Sequence, residues 1–116
     1  MNLEFLDYLQ HLVDSSQIVI DRPKGSKHPR FSGKEYPVDY GYLQGTTSID
    51  SSGVDIWVGL LGMLKVVGIL CTVDLLKRDT ELKILFDCAD EEIKLIENFA
   101  YCNEMRAINI KLRKGD

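Results

Sequence analysis

The most apolar stretch of the chain, residues 56–71, is cut by Gly59, Gly62, Lys65 and Gly68. A membrane-spanning helix needs about 20 consecutive apolar residues, so this stretch falls short of one. It reads instead as a strand over 54–58 and a second over 66–72, joined by residues 59–65. That connection carries Leu60, Leu61, Met63 and Leu64, far more apolar surface than a solvent loop needs. Exposed apolar clusters mark contact surfaces, so these four residues are the candidate subunit interface of a homo-oligomer. The plainer alternative is that they close the end of the core.

The remaining elements follow from periodicity. Residues 2–13 place Leu3, Leu6, Leu9 and Leu12 or Val13 at helical spacing, with Phe5 and Tyr8 alongside, and predict a short amphipathic helix that ends at Asp14, Ser15 and Ser16. Residues 17–21, QIVID, are a strand stopped by Pro23 and Gly25. Residues 87–101 set Ile93, Ile96 and Ala100 on one helical face with Leu95 and Phe99 beside it, and offer Asp87 or Asp90 as N-cap. Residues 107–112, AINIKL, alternate as a final strand. With 116 residues and 45% hydrophobic content, residues 1–116 make one domain with one core.

Charge and cysteine usage narrow the function. The net charge is −4, which disfavours a nucleic-acid binder that must neutralise many phosphates. Residues 22–34 nevertheless collect Arg22, Lys24, Lys27, His28, Arg30 and Lys34 with no acid, a local field for an anion or simply a solvated loop. The run PKGSK lacks the spacing of a phosphate-binding P-loop. The first residues show neither a basic region nor a cleavage site of the secretory kind, and three cysteines without CxxC spacing fit reduced thiols. A cytoplasmic location is the expectation.

Residues 36–58 concentrate the chemistry. Tyr36, Tyr40 and Tyr42 precede Asp50 and Asp55, which sit five apart among turn-forming residues and can turn toward one point. Converging carboxylates suit a hard divalent cation such as Mg2+. If Tyr40 and Tyr42 lie on a strand, they share a face.

The run Tyr-Pro-x-x-Tyr-Gly-Tyr at 36–42, the Asp-bearing loop after it, the upstream IVIDRPKGSKHPRF and the downstream VVGILCTVDLL together resemble the soluble (family I) inorganic pyrophosphatases. The resemblance runs from about residue 18 to about residue 112. It implies an α+β, mostly β fold: a small five-stranded OB-like barrel with an N-terminal helix and one helix packed on the barrel. The implied activity is Mg2+-dependent hydrolysis of inorganic pyrophosphate or a related small phosphoanhydride. Metal ligands would be Asp50, Asp55, Asp74 and Glu81, with Asp79 the alternative to Glu81. Asp55 and Tyr40 would be catalytic, and Arg30, Tyr40, Lys83 and Tyr101 would hold phosphate. The chain departs from the pattern at Asp21, Ser32, Ser52, Gly53 and Cys102. Its segment between Phe31 and Tyr36 is also too short to carry the family's arginine, for which Lys34 is the nearby substitute. A non-catalytic relative that binds phosphate or a protein partner is therefore the alternative.

Overall fold

The computed structural model describes residues 3–31, 33–48 and 52–112. Helix α1 (Leu3–Asp14) buries Leu6, Leu9 and Val13, the i, i+3, i+7 stripe of an amphipathic helix. Phe5 and Tyr8 flank that stripe and stay exposed. The helix stops where the Ser15 amide and the Ser16 hydroxyl donate back to the carbonyls of His11 and Leu12.

Six strands follow: β1 (Gln17–Arg22), β2 (Asp39–Gln44), β3 (Val54–Val58), β4 (Val66–Asp74), β5 (Asp79–Phe86) and β6 (Met105–Lys111), with α2 (Asp90–Ala100) before the last. They form one open sheet in the order β1-β2-β3-β5-β4-β6. The mostly β architecture with two helices is the expected one, but the sheet has six strands rather than five, because β6 adds to the outer side of β4. Neighbours are antiparallel except β3 and β5, which run parallel with Ile56 opposite Ile84 and Trp57 opposite Leu85.

Strand side chains alternate between faces, and the sheet separates two cores on that basis. Ile56, Ile69 and Ile84 pack with α1 in one. Their neighbours Trp57, Leu70 and Leu85 pack with Ile93, Ile96 and Ala100 of α2 in the other. The second face carries the candidate site.

One local expectation changes. The N-cap position of α2 is Ala89, neither Asp87 nor Asp90. Ala89 has no side chain to accept the N–H groups of the first turn, and Glu92 at the third helical position accepts the Ala89 N–H at 2.8 Å. Asp87 is committed elsewhere. Buried and held at φ 56, it exchanges backbone bonds with Lys65 and Leu61, and its side chain accepts the Lys65 N–H at 2.8 Å. The 59–65 loop is thus fastened by its backbone while Leu60, Leu61, Met63 and Leu64 remain exposed.

Among the described residues no helix is long and apolar enough to cross a membrane. Cys71, Cys88 and Cys102 are free thiols, and burial pushes the Cys88 thiol up to about 12.

Gly59 is where this arrangement is least tolerant. A Cβ there would lie 2.3 Å from the Asp87 carbonyl oxygen and 2.7 Å from the Cys88 Cα. Gly59→Ala is expected to cost about 1–3 kcal/mol, measured as a lower urea midpoint. Gly33→Ala, with nothing within 4 Å, should leave the midpoint in place.

Candidate functional site

The site is assembled by strand register. Tyr40 on β2 stands opposite Trp57 on β3, and Asp55 precedes Trp57 by two, so it faces the same side. The parallel pairing of β3 with β5 brings Asp55 level with Lys83. Across the β4–β5 pair, Leu70 opposes Lys83 and Thr72 opposes Glu81. Four distant segments of sequence therefore meet on one face.

Their centre is the Lys83 ammonium. It donates to the Tyr40 hydroxyl at 2.6 Å and to Asp55 Oδ2 at 3.0 Å, and it lies 3.1 Å from Glu81 Oε2. Burial by itself pulls the Lys83 pKa down, but Tyr40, Asp55 and Glu81 outweigh it and the net movement is upward. Burial also raises the Tyr40 pKa. At neutral pH the pair is an ammonium beside a neutral phenol.

A cavity of about 320 Å³ opens over this cluster. Buried Tyr36, Trp57, Leu70 and Thr72 form its floor, and exposed Arg30, Lys77, Asp79 and Glu104 stand at its rim. The residues lining it include three cations, Arg30, Lys77 and Lys83, against four carboxylates, Asp74, Asp79, Glu81 and Glu104. It has no net positive field of its own.

The 22–34 segment reaches the cavity through an excursion between β1 and β2. Gly25 and Tyr36 exchange backbone bonds with their neighbours across it, and the His28 N–H donates to the Lys34 carbonyl. Aromatic contacts fasten the segment to the sheet: His28 stacks on Tyr36 at 6.0 Å, and Tyr36 lies 4.6 Å from Phe99 and 5.9 Å from Trp57. The neutral His28 Nδ1 accepts the amides of Arg30 and Phe31 at 3.0 and 3.3 Å, which fixes the turn that carries Arg30.

The expected site residues are distributed unevenly. Arg30, Tyr40, Asp74, Glu81, Lys83 and the alternative Asp79 line the cavity, and Asp55 joins them through Lys83. Asp50 lies outside the described residues. Asp74 also shapes the β4–β5 turn, its carboxylate accepting the amides of Leu76 and Lys77 at 2.9 and 3.1 Å. Tyr101 is 62% exposed and sits under the Arg106 guanidinium at 3.9 Å, and it is not among the residues lining the cavity. Lys34 donates to the Phe99 carbonyl in the last turn of α2, a favourable place for a cation at a helix C-terminus. Asp21 falls at the β1 bulge and is exposed.

Sequence reasoning missed the aromatic floor, chiefly Trp57 and Phe99, and the rim residues Lys77 and Glu104. Trp57 carried a usable signal, since it stands two residues after Asp55 on a strand and so shares its face.

No protein-family model and no curated protein matches this chain. Solved structures with a similar fold include an inorganic phosphatase from Anaplasma phagocytophilum, at 16% identity and TM-score 0.58 over 81% of each chain. The inorganic pyrophosphatase of Helicobacter pylori aligns at 15% identity and TM-score 0.58, also over 81% of each chain. An inorganic pyrophosphatase from Coxiella burnetii aligns at 14% identity and TM-score 0.57, over 81% of this chain and 82% of that one. The chain has a pyrophosphatase-like fold.

The His28 acceptor makes the rim loop sensitive to acid. Burial first, then Lys34, Arg22, Arg30 and Lys77, lower its pKa from 6.5. A folded value below the unfolded one means that this contribution is complete above about 6.5 and is lost as pH falls through the folded value. The melting temperature of the wild type should therefore fall faster between pH 7 and 5 than that of His28→Leu, with thermal melts across that range as the check.

Proposed function

We propose that the cavity binds inorganic pyrophosphate or a related small phosphoanhydride and that the protein hydrolyses it in a Mg2+-dependent reaction. The observation that carries this reading is the mixed rim, with cations and carboxylates facing one cavity on a pyrophosphatase-like fold. A diphosphate needs Lys and Arg for its oxygens. An excess of carboxylates repels it unless a divalent cation comes with it.

The described carboxylates do not by themselves fit a resident Mg2+ centre. Among the described residues no group of three or more His, Cys, Asp and Glu is placed to hold a metal. Asp55 and Glu81, the two that converge, already share the Lys83 ammonium, and Asp74 holds its own turn. The carboxylate excess is better matched to a diphosphate that enters with Mg2+ as its counter-ion. In this reading Arg30 at the rim binds the anhydride as a planar two-pronged donor, Lys83 offsets charge that grows in the transition state, and Tyr40 stays a neutral donor. Asp50, placed on metal by the family resemblance, and Tyr101, placed on phosphate, complete the proposed set.

A second reading, a non-catalytic protein that binds phosphate or a partner, is favoured by one observation. Lys83 is engaged within the protein, donating to Tyr40 and Asp55 and paired with Glu81. The two readings separate on phosphate release from pyrophosphate across a Mg2+ titration. Metal-dependent turnover that drops about 100-fold or more in Asp55→Asn supports hydrolysis. Folded protein that binds the diphosphate by calorimetry but releases no phosphate at any Mg2+ concentration supports the second reading.

The exposed Leu60, Leu61, Met63 and Leu64 are proposed as the contact between copies of the chain. Light scattering should give a higher mass for wild type than for the Leu61→Glu, Leu64→Glu double variant. An unchanged mass removes the interface.

A further inference from the structure

Two exposed apolar side chains belong to the cavity and have no use in binding a bare diphosphate. Phe31, on the 22–34 segment, is 40% exposed, and Leu76, on the β4–β5 turn, is 79% exposed. Both line the cavity. A scattered surface hydrophobe needs no explanation, but these two stand at one opening, on separate segments, beside charged groups. Inorganic pyrophosphate is a compact ion with no apolar surface to offer either of them.

At both places the backbone is fixed by polar contacts, which leaves the side chains available. His28 Nδ1 accepts the Phe31 amide at 3.3 Å, and the Phe31 carbonyl accepts the Lys34 amide at 2.8 Å. Asp74 accepts the Leu76 amide at 2.9 Å. The Phe31 ring leans on the His28 ring at 5.0 Å and 39°, so its position is set before a ligand arrives. A ligand that used it would bear little of the cost of ordering it.

The charged groups of the rim complete the pattern. Arg30 adjoins Phe31 in the chain and Lys77 adjoins Leu76, and all four line the cavity. Each segment therefore offers a cation next to an apolar side chain. Asp79 and Glu104 add exposed carboxylates, which accept from sugar hydroxyls with no metal between them. The volume, about 320 Å³, falls within the range of about 300–1,000 Å³ of pockets that enclose organic ligands.

We propose that the anhydride recognised by this cavity is carried on a nucleoside. In a nucleoside diphosphate or triphosphate bound there, the base stacks on Phe31 and packs against Leu76, the ribose hydroxyls donate to Asp79 or Glu104, and the phosphates meet Arg30 and Lys77. This rests on the phosphoanhydride reading of the cavity and names its substrate class. The competing account of Phe31 is that its ring only anchors the turn carrying Arg30. In that case its loss weakens every anionic ligand alike.

Methylenediphosphonate and α,β-methylene-ADP present the same non-hydrolysable diphosphate without and with a nucleoside. In calorimetry with Mg2+, the wild type should bind the nucleotide analogue about tenfold or more tightly, the worth of one base stacked on an aromatic side chain. Phe31→Ala should remove that advantage and leave the affinity for methylenediphosphonate unchanged. Leu76→Ser, at a side chain too exposed to matter for folding, should lower the nucleotide affinity in the same selective way. Equal wild-type affinities for the two probes, or equal losses of both in Phe31→Ala, overturn the nucleoside assignment while the diphosphate reading stands. Absence of binding by either probe to the wild type overturns both.

Discussion

An ammonium taken out of water must keep its counter-charges close, and Lys83 sets the terms for this face of the sheet. Its side chain is 16% exposed, beside Asp55 and Glu81. Removing either carboxylate would leave a buried charge under-compensated, which is far more costly than losing an exposed pair. The positions of Asp55 and Glu81 are thus fixed by folding before any ligand arrives. So is the protonation state of Tyr40, since burial keeps the phenol neutral against the pull of the Lys83 ammonium that donates to it. Any phosphoryl oxygen that binds Lys83 meets a charge already held by Asp55 and Glu81.

The second constraint is aromatic. Residues 23–38 leave the sheet and return to it, and side chains rather than a ladder hold much of that excursion. His28, Tyr36 and Phe99 form a continuous contact series that ends on Trp57 and Tyr40. Lys34 adds a bond to the Phe99 carbonyl. This explains why a chain with a short 31–36 segment can still place Arg30 over the cavity. The loop is fastened at the histidine and the lysine, so its tip needs no further hairpin to be positioned.

Periodic signals were legible and pairwise ones were not. Leu6, Leu9 and Val13, and likewise Ile93, Ile96 and Ala100, stand in the sequence at the spacing they occupy in the structure, because a helix face is a local property. The strands over 17–21 and 54–58 were readable for the same reason. The strand count and the open sheet were not, since they depend on which edges pair at long range. The N-cap expectation failed at α2 because the helix starts on Ala89, whose N–H Glu92 accepts, and Asp87 is used in the 59–65 loop. In the candidate site, the family resemblance pointed to Tyr40, Asp55 and Lys83, but nothing local said that Lys83 would sit between Asp55 and Glu81 rather than face open solvent. Lys34 and Tyr101 illustrate the converse: each had the chemistry for phosphate, and in the structure each interacts at the end of α2 or beyond it.

The same long-range pairing decides which surfaces remain for other molecules. β6 ends the sheet, and an end strand offers unpaired backbone to any passing chain. Here Glu97 of α2 accepts the Asn109 N–H and side-chain amide at 3.2 and 2.7 Å, while Cys102 and Met105 bond to each other at 2.7 and 3.3 Å. That edge is partly occupied. The 59–65 loop is the opposite case, with its backbone fastened to Phe86, Asp87, Glu92 and Gln10 and its leucines turned outward. Ordering a flexible loop is among the main costs of association, and this loop has met much of that cost in folding, so apolar contact there would be gained with little further loss of freedom.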